Sequence, residues 1–112
     1  MWVFMNDSFL SIVQHRDKPE WLVVRARVKG DIERAFPEVN ATRTPDADYL
    51  FRAEIPRSVV GRVMENAFNK IDYDNFKNSV HERDRHDAYL QVWSTMHRFQ
   101  TVRANSESKR AK

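Results

Sequence analysis

Three arginines lie at spacings that would bring their guanidinium groups onto one face of a β-sheet. Arg25 and Arg27 are two residues apart in the alternating stretch 21–28, and Arg52 has the same kind of position in a second alternating stretch. Side chains two apart on a strand share a face, so the three groups would converge if these strands were neighbours. Arginine binds phosphates and carboxylates through planar, bidentate hydrogen bonds. The pattern therefore indicates a site for an acidic partner, unless Glu54 and nearby acids simply neutralise a solvated face.

A second set of candidate residues interleaves aromatic, amide and cationic side chains. The segment 72–77 has the sequence Asp-Tyr-Asp-Asn-Phe-Lys, where a short helix would start. The rings could stack nucleobases and the lysine could reach a phosphate, while a helix N-terminus favours an anion. The same residues could instead form a helix cap followed by core aromatics. The candidate binding residues of this segment are Tyr73, Asn75 and Lys77.

The histidines could support hydrolytic chemistry only if the fold supplied partners for them. His15 with Asp17 or Asp74 could serve a nuclease or another phosphate-processing enzyme, but no glycine-rich loop or triad spacing accompanies them. His81 and His86 are five residues apart, which is poor spacing for two metal ligands on one helix. The preferred interpretation is structural or solvated histidines. The sequence predicts no catalytic residue, no metal site and no cofactor.

The amino-acid composition limits the classes of protein to which this chain could belong. The chain has 112 residues, 41% of them hydrophobic and 31% charged, which is typical of a single soluble globular domain. No apolar run approaches the roughly 20 residues that span a bilayer, and the N-terminus lacks a signal-peptide pattern, so we expect no membrane association. The absence of cysteine excludes disulfides and thiolate catalysis and fits a cytoplasmic location.

The basic character of the chain is local. Of the 19 basic and 16 acidic side chains, four basic and one acidic lie in residues 103–112, which leaves 15 of each sign in the rest of the chain. A neutral body with a local arginine cluster favours docking to a selected partner over general coating of DNA. Residues 103–112 contain no apolar side chain other than alanine, so we expect a disordered basic tail.

The elements that would hold the candidate residues are strands in the first half of the chain and helices in the second. Alternating or β-favouring runs predict strands at 2–5, 9–14, 21–28 and 48–55. In the last of these strands, Tyr49 and Phe51 would share the face opposite Arg52. Helical spacing and capping residues predict helices at 31–36, capped by Asp31, at 58–71, capped by Ser58, after 72–75 and around 89–99. The apolar stripe of the helix at 58–71 would include Phe68 and Ile71, and residues 38–48 would form a loop. Strands followed by helices indicate an α+β fold, with an antiparallel sheet of about four strands and three to four helices, the longer ones packed on one face. We expect a single domain over residues 1–102.

An aromatic stripe distinguishes the last predicted helix. Its members, at spacings of three and four, are Tyr89, Val92, Trp93, Met96 and Phe99. A core helix is one interpretation. If the helix at 58–71 already covers the sheet, the stripe is surplus and would form a partner or homodimer interface. The candidate interface residues are Tyr89, Trp93 and Met96.

Several segments resemble a family of small, largely uncharacterised bacterial and phage proteins. The matching segments are 1–4 (Met-Trp-Val-Phe), 9–13, 22–27 (Leu-Val-Val-Arg-Ala-Arg), 48–53, 71–77 and 88–93. Residues 6–8 depart from the family, which often has threonine and glycine in this turn. The family carries no activity to transfer, so the resemblance implies a group of proteins but no reaction. Its occurrence in phages implies, as a special case, an inhibitor of host nucleic-acid machinery.

These patterns together predict a small non-enzymatic binding module. It would dock an acidic partner, either nucleic acid or the nucleic-acid-binding surface of a protein, through the three arginines and Lys77. Two alternatives stay open. One is a phosphate-processing enzyme that uses His15 with Asp17 or Asp74, and the other is a structural homodimer held by the last helix.

Overall fold

The computed structural model describes residues 1–111 and has an α+β fold, which confirms the expected class. The strands are β1 (Trp2–Phe4), β2 (Phe9–Gln14), β3 (Trp21–Ala26), β4 (Thr42–Arg43) and β5 (Phe51–Pro56). The helices are α1 (Asp31–Ala35), α2 (Arg57–Asn69) and α3 (Arg83–Ala111), and a 3-10 turn at Lys77–Ser79 precedes α3. None of these helices combines the length and apolar character that crossing a membrane requires.

The strands form one antiparallel sheet in the order β1-β2-β3-β5-β4. This is one strand more than the four predicted, because β4 lies inside the segment that we expected to be a loop. It pairs only Thr42 with Arg52 and Arg43 with Phe51. Two residues are too few to show an alternating pattern, so sequence periodicity could not reveal this strand.

The core of the sheet lies on the face that α1 and α2 cover. Alternation along the strands directs their apolar residues to this face, where they pack against Ile32 and Phe36 around α1 and against Val60 of α2. The buried strand residues of this cluster are Leu10, Ile12, Val24, Ala26 and Ile55. Each large aliphatic side chain buried in this way contributes about 1.5–3 kcal/mol.

The start of α1 differs from the expected aspartate cap. Gly30 precedes the helix with a φ of 92°, a left-handed conformation that favours glycine. Asp31 is fully buried, and its carboxylate accepts a hydrogen bond from the backbone N–H of Phe9 at 3.0 Å and pairs with Arg34. The side chain therefore ties α1 to the beginning of β2 instead of capping its own helix.

Helix α2 begins and ends earlier than its sequence pattern suggests. It starts at Arg57, directly after Pro56, and no side chain caps it, so Ser58 is not the cap that we expected. Its last residue is Asn69. Phe68 is 70% exposed and Ile71 is 49% exposed, so these two residues of the predicted stripe lie outside the core.

The contacts divide the chain into two compact units, the first spanning Met1–Asp74 and the second beginning at Asn75. The first unit contains the sheet with α1 and α2, and the second contains the 3-10 turn and α3. The single domain that we expect over residues 1–102 would include parts of both units. The boundary carries no sequence signal, because no glycine or proline follows Gly61, whereas domain boundaries often fall in segments rich in these residues.

Helix α3 continues through the segment that we expected to be disordered. It is helical to Ala111, whereas the composition of residues 103–112 led us to expect a disordered tail. The physical reason is that Arg, Ala, Glu and Lys are good helix formers. Adding turns to an existing helix also avoids the nucleation cost. Lys109 and Arg110 lie in the last turn, where positive charge interacts favourably with the helix dipole.

Candidate arginine site on the sheet

The arginines of β3 and β5 meet on the face of the sheet opposite α1 and α2. Arg25 lies directly opposite Arg52 in the antiparallel β3–β5 pair. Pairing across the neighbouring strands extends this position into a row that crosses the whole sheet, because directly opposed residues share a face. The row consists of Trp2, Ser11, Arg25, Arg52 and Thr42. Neighbouring positions in such a row are about 5 Å apart.

Tyr49 is a component of this site that the sequence did not predict. The guanidinium carbon of Arg25 lies 4.6 Å from the Tyr49 ring centroid, and that of Arg27 lies 4.1 Å from it. These distances are typical of cation–π contacts. We expected Tyr49 on the apolar face with Phe51, but β5 begins only at Phe51. Strand alternation therefore does not govern the direction of the tyrosine side chain. The only sequence signal was an aromatic residue next to an aspartate just before a strand.

Hydrogen bonds hold the three guanidinium groups in place. Arg25 Nη2 donates to Ser11 Oγ at 2.6 Å, and Arg27 Nη1 donates to the Asp48 backbone carbonyl at 3.1 Å. Arg52 Nη2 donates to the Asp48 carboxylate at 3.3 Å. Within the described residues, Asp48 is the one carboxylate paired with these arginines, so three positive charges share one negative charge.

Two buried donors of the site lack partners among the described residues. Arg25 Nε and Arg52 Nε are both buried, and neither has a hydrogen-bond acceptor. An unsatisfied buried donor costs about 1–3 kcal/mol, and like charges directly opposite each other on a sheet are destabilising. The site therefore holds positive charge that its own residues do not balance, and an anion bound there would stabilise it.

Glu54 is not the partner of the arginines that the sequence suggested. Its carboxylate accepts a hydrogen bond from His15 Nε2 at 2.7 Å. His15 Nδ1 accepts two more hydrogen bonds, from the backbone N–H groups of Asp17 at 3.0 Å and Lys18 at 3.1 Å. Because Nδ1 is an acceptor, the proton lies on Nε2. Nδ1 of this buried histidine therefore holds the turn between β2 and β3, while Nε2 links the turn to β5.

Aromatic side chains occupy the same face at the β1–β2 end of the sheet. Trp2 is 67% exposed, and its ring lies edge-on to Phe9 at 6.3 Å between centroids. Phe9 also contacts Phe4 at 4.6 Å. Further along this face, the Lys18 ammonium lies 5.4 Å from the Trp21 ring centroid. The face thus combines aromatic rings on its first strands with guanidinium groups on β3 and β5.

The residues predicted from the segment 72–77 are not part of this arrangement. Tyr73 is half-buried in the first unit, where it lines a groove of about 480 Å³ between β1 and α2. In the second unit, Asn75 Oδ1 accepts the backbone N–H of Asn78 at 3.1 Å. The Lys77 ammonium lies 4.3 Å from the Trp93 ring centroid. Asn75 and Lys77 therefore make local contacts around the 3-10 turn.

The three candidate interface residues of α3 differ in exposure. Tyr89 is buried and stacks on Phe76, with 5.7 Å between ring centroids. Trp93 and Met96 are 50% and 57% exposed. Tyr89 thus packs within the second unit, while Trp93 and Met96 are open to a partner.

Among residues 1–111, no three His, Asp or Glu side chains lie close enough together to hold a metal ion. Comparisons of the chain with protein-family models, with curated proteins and with solved structures found no match.

Proposed function

We propose that the protein is a non-enzymatic binding module whose arginine-bearing sheet face docks an acidic partner. The observation that carries this proposal is the direct opposition of Arg25 and Arg52 beside Arg27, with Asp48 as the one paired carboxylate among the described residues. Arg27 is exposed and Arg52 is partly exposed, so an incoming phosphate or carboxylate can reach guanidinium donors. Such charge-assisted hydrogen bonds are about twice as strong as neutral ones.

Single-stranded nucleic acid is the acidic partner that this face favours over a protein carboxylate surface. Unpaired bases stack on exposed aromatic rings while their phosphates contact arginine and lysine. Trp2 and Arg25 are two strands apart in the row across the sheet, which is about 10 Å. A carboxylate surface would use the arginines but would have no need of the adjacent exposed tryptophan.

The expected cellular location and the family resemblance are also part of the proposal. The lack of cysteine is consistent with a cytoplasmic protein. The resemblance to bacterial and phage proteins adds an inhibitor of host nucleic-acid machinery as a special case. The enzymatic alternative has no specific support, because both ring nitrogens of His15 are engaged within the fold.

The proposal is tested by fluorescence anisotropy with labelled single-stranded DNA and RNA oligonucleotides at several salt concentrations. Arg27→Ala and Arg52→Ala should each weaken binding several-fold and reduce the slope of log affinity against log salt by about 1, since each removes a phosphate contact. Trp2→Ala should weaken binding without changing the slope, because stacking releases no counterions.

Arg62→Ala is the matched control. Arg62 is an exposed arginine of α2, which packs on the other face, so this variant removes the same charge from the same unit. If Arg62→Ala weakened binding as much as Arg52→Ala, the site would be wrong and the attraction nonspecific. If no oligonucleotide bound even at low salt, the nucleic-acid proposal would fail, and competition with polyglutamate would then test an acidic protein partner.

A further inference from the structure

The arginine site carries more positive charge than its own residues balance. Arg25, Arg27 and Arg52 supply three positive charges, and Asp48 supplies the one carboxylate paired with them among the described residues, which leaves an excess of two. A phosphodiester within a nucleic acid strand carries a single negative charge, whereas a phosphate monoester carries about 1.5–2 at pH 7. The excess therefore matches a terminal phosphate more closely than an internal one.

The free donors of the opposed arginines favour the same group. Arg25 and Arg52 are about 5 Å apart as directly opposed residues, and each guanidinium carries five N–H donors. In the part of the chain that the structure describes, only Nη2 of each makes a hydrogen bond, to Ser11 and to Asp48 respectively. A phosphate monoester presents three acceptor oxygens, and a diester loses one of these to its second ester link. The monoester can therefore accept hydrogen bonds from both arginines at once.

Carboxylates flank the arginines along the strands but not along the row towards β1. Glu54 lies on the same face of β5, two positions or about 7 Å from Arg52, and Asp48, which precedes β5, pairs with Arg52. Towards β1, the row continues through Ser11 to Trp2 and contains no acidic residue. An internal phosphate has a neighbouring phosphate on each side, whereas a terminal phosphate has only one. That one neighbour can lie on the side of β1, away from both carboxylates.

Trp2 lies where the base of a terminal nucleotide would stack. Arg25 Nη2 donates to Ser11 Oγ at 2.6 Å, so this guanidinium reaches over β2. Ser11 lies directly opposite Trp2 in the β1–β2 pair, about 5 Å away. Because Trp2 is 67% exposed, one nucleotide can place its phosphate at the guanidinium and its base on the indole ring.

We propose that the arginine site binds a terminal phosphate monoester of single-stranded nucleic acid, with the base of the terminal nucleotide stacked on Trp2. This inference rests on the proposed function, because it takes single-stranded nucleic acid as the ligand, and it adds which part of the strand the arginines bind. The 5′-phosphate and the 3′-phosphate of a strand share this chemistry, and separate arms of the test distinguish them.

Competition anisotropy tests the preference with unlabelled oligonucleotides of one sequence, which differ only at their ends. One has hydroxyl groups at both ends, one has a 5′-phosphate, one has a 3′-phosphate, and two more carry either phosphate as its methyl ester. At least one phosphorylated oligonucleotide should bind about tenfold more tightly than the hydroxyl-ended one, which is the effect of one added charge-assisted hydrogen bond. Its methyl ester should lose most of this gain, because it has the charge and the free oxygens of a diester.

Variants of the chain test whether the gain arises at the arginine site. Arg52→Ala should abolish the gain, whereas Arg62→Ala, at an exposed position of α2, should retain it. Asp48→Asn is a second variant, because it removes the carboxylate but keeps an oxygen that can accept from Arg52 and from the Tyr49 N–H. It should bind the phosphorylated oligonucleotide several-fold more tightly than the wild type does. Circular dichroism checks that each variant is folded.

The outcomes separate this inference from the proposed function. Equal affinity for all the oligonucleotides would overturn the preference for a terminal phosphate and leave single-strand binding in place. A gain that survived in a folded Arg52→Ala variant, or that Arg62→Ala removed equally, would put the terminal phosphate elsewhere and also overturn the inference. Weaker binding of the phosphorylated oligonucleotide by Asp48→Asn would contradict the charge argument. If no oligonucleotide bound, the proposed function and this inference would fail together.

Discussion

At the scale of single residues, buried polar side chains hold turns in place, and one of them is the histidine that could have been catalytic. His15 is buried, and its ring nitrogens contact Glu54 and two backbone N–H groups of the following turn. Asp31 has a comparable role between α1 and β2. The residues next to His15 and Asp31 in the sequence are compatible with several roles for these side chains. Only their hydrogen-bond partners show that the two side chains stabilise the fold.

His15→Ala should lower the free energy of unfolding by about 1–3 kcal/mol, because it leaves two backbone donors of the turn without their acceptor. The measurement is urea unfolding followed by circular dichroism. His97→Ala is the control, since His97 is exposed on α3 and its replacement should change stability by less than about 0.5 kcal/mol. Equal stability of His15→Ala and the wild type would contradict the structural role. Oligonucleotide binding at the arginine site should survive the substitution under native conditions.

At the scale of secondary-structure elements, helix propensity and hydrophobicity indicate different structures for the end of α3. The absence of apolar residues after Val102 predicted disorder, but the same residues include neither glycine nor proline. A helix already formed upstream extends into such a sequence because each added residue gains a hydrogen bond without a new nucleation step. Helix propensity therefore determines where this helix ends, and the hydrophobicity of its residues does not.

Asn105→Pro should reduce the helical circular dichroism signal, because proline in a helix interior removes a hydrogen bond and clashes with the preceding turn, at about 3 kcal/mol. Asn105→Ala should retain or increase the signal, since alanine is the best helix former. If both variants gave the spectrum of the wild type, the segment after Val102 would be disordered in solution.

At the scale of the whole molecule, the division into two units has a consequence for stability. The unit Met1–Asp74 contains the sheet, α1 and α2 together with the core that joins them. Domains of this size bury only about 60% of the surface that the unfolded chain exposes, so their stability is marginal. The arginine site lies entirely in this unit.

A chain ending at Asp74 should therefore fold alone, with cooperative but low-temperature thermal unfolding and with oligonucleotide binding through the arginine site retained. Differential scanning calorimetry and the anisotropy assay measure the two properties. A variant of this shortened chain with Ile55→Ala is the control for cooperativity, because loss of a buried isoleucine costs about 2–5 kcal/mol. An unfolded shortened chain would show that the first unit is not independent.

Local patterns in the sequence determined most of the elements and the apolar side of each one. The alternation in 21–28 placed Val24 and Ala26 towards the core and Arg25 away from it, because side-chain direction in a strand follows from the backbone alone. Helical spacing located α2 and α3 for the same reason. These predictions needed no knowledge of neighbouring segments.

Only the tertiary structure decided what the outward-facing side chains meet. The pairing of β3 with β5 brings together residues 27 positions apart, Arg25 and Arg52, and no local pattern encodes which strands become neighbours. Asp48 and Tyr49 contact the arginines because they precede β5 in an irregular segment. In such a segment, the direction of each side chain depends on the backbone geometry of its own residue. The positive charge of the site is thus visible in the sequence, whereas its concentration at one place results from the order of strands in the sheet.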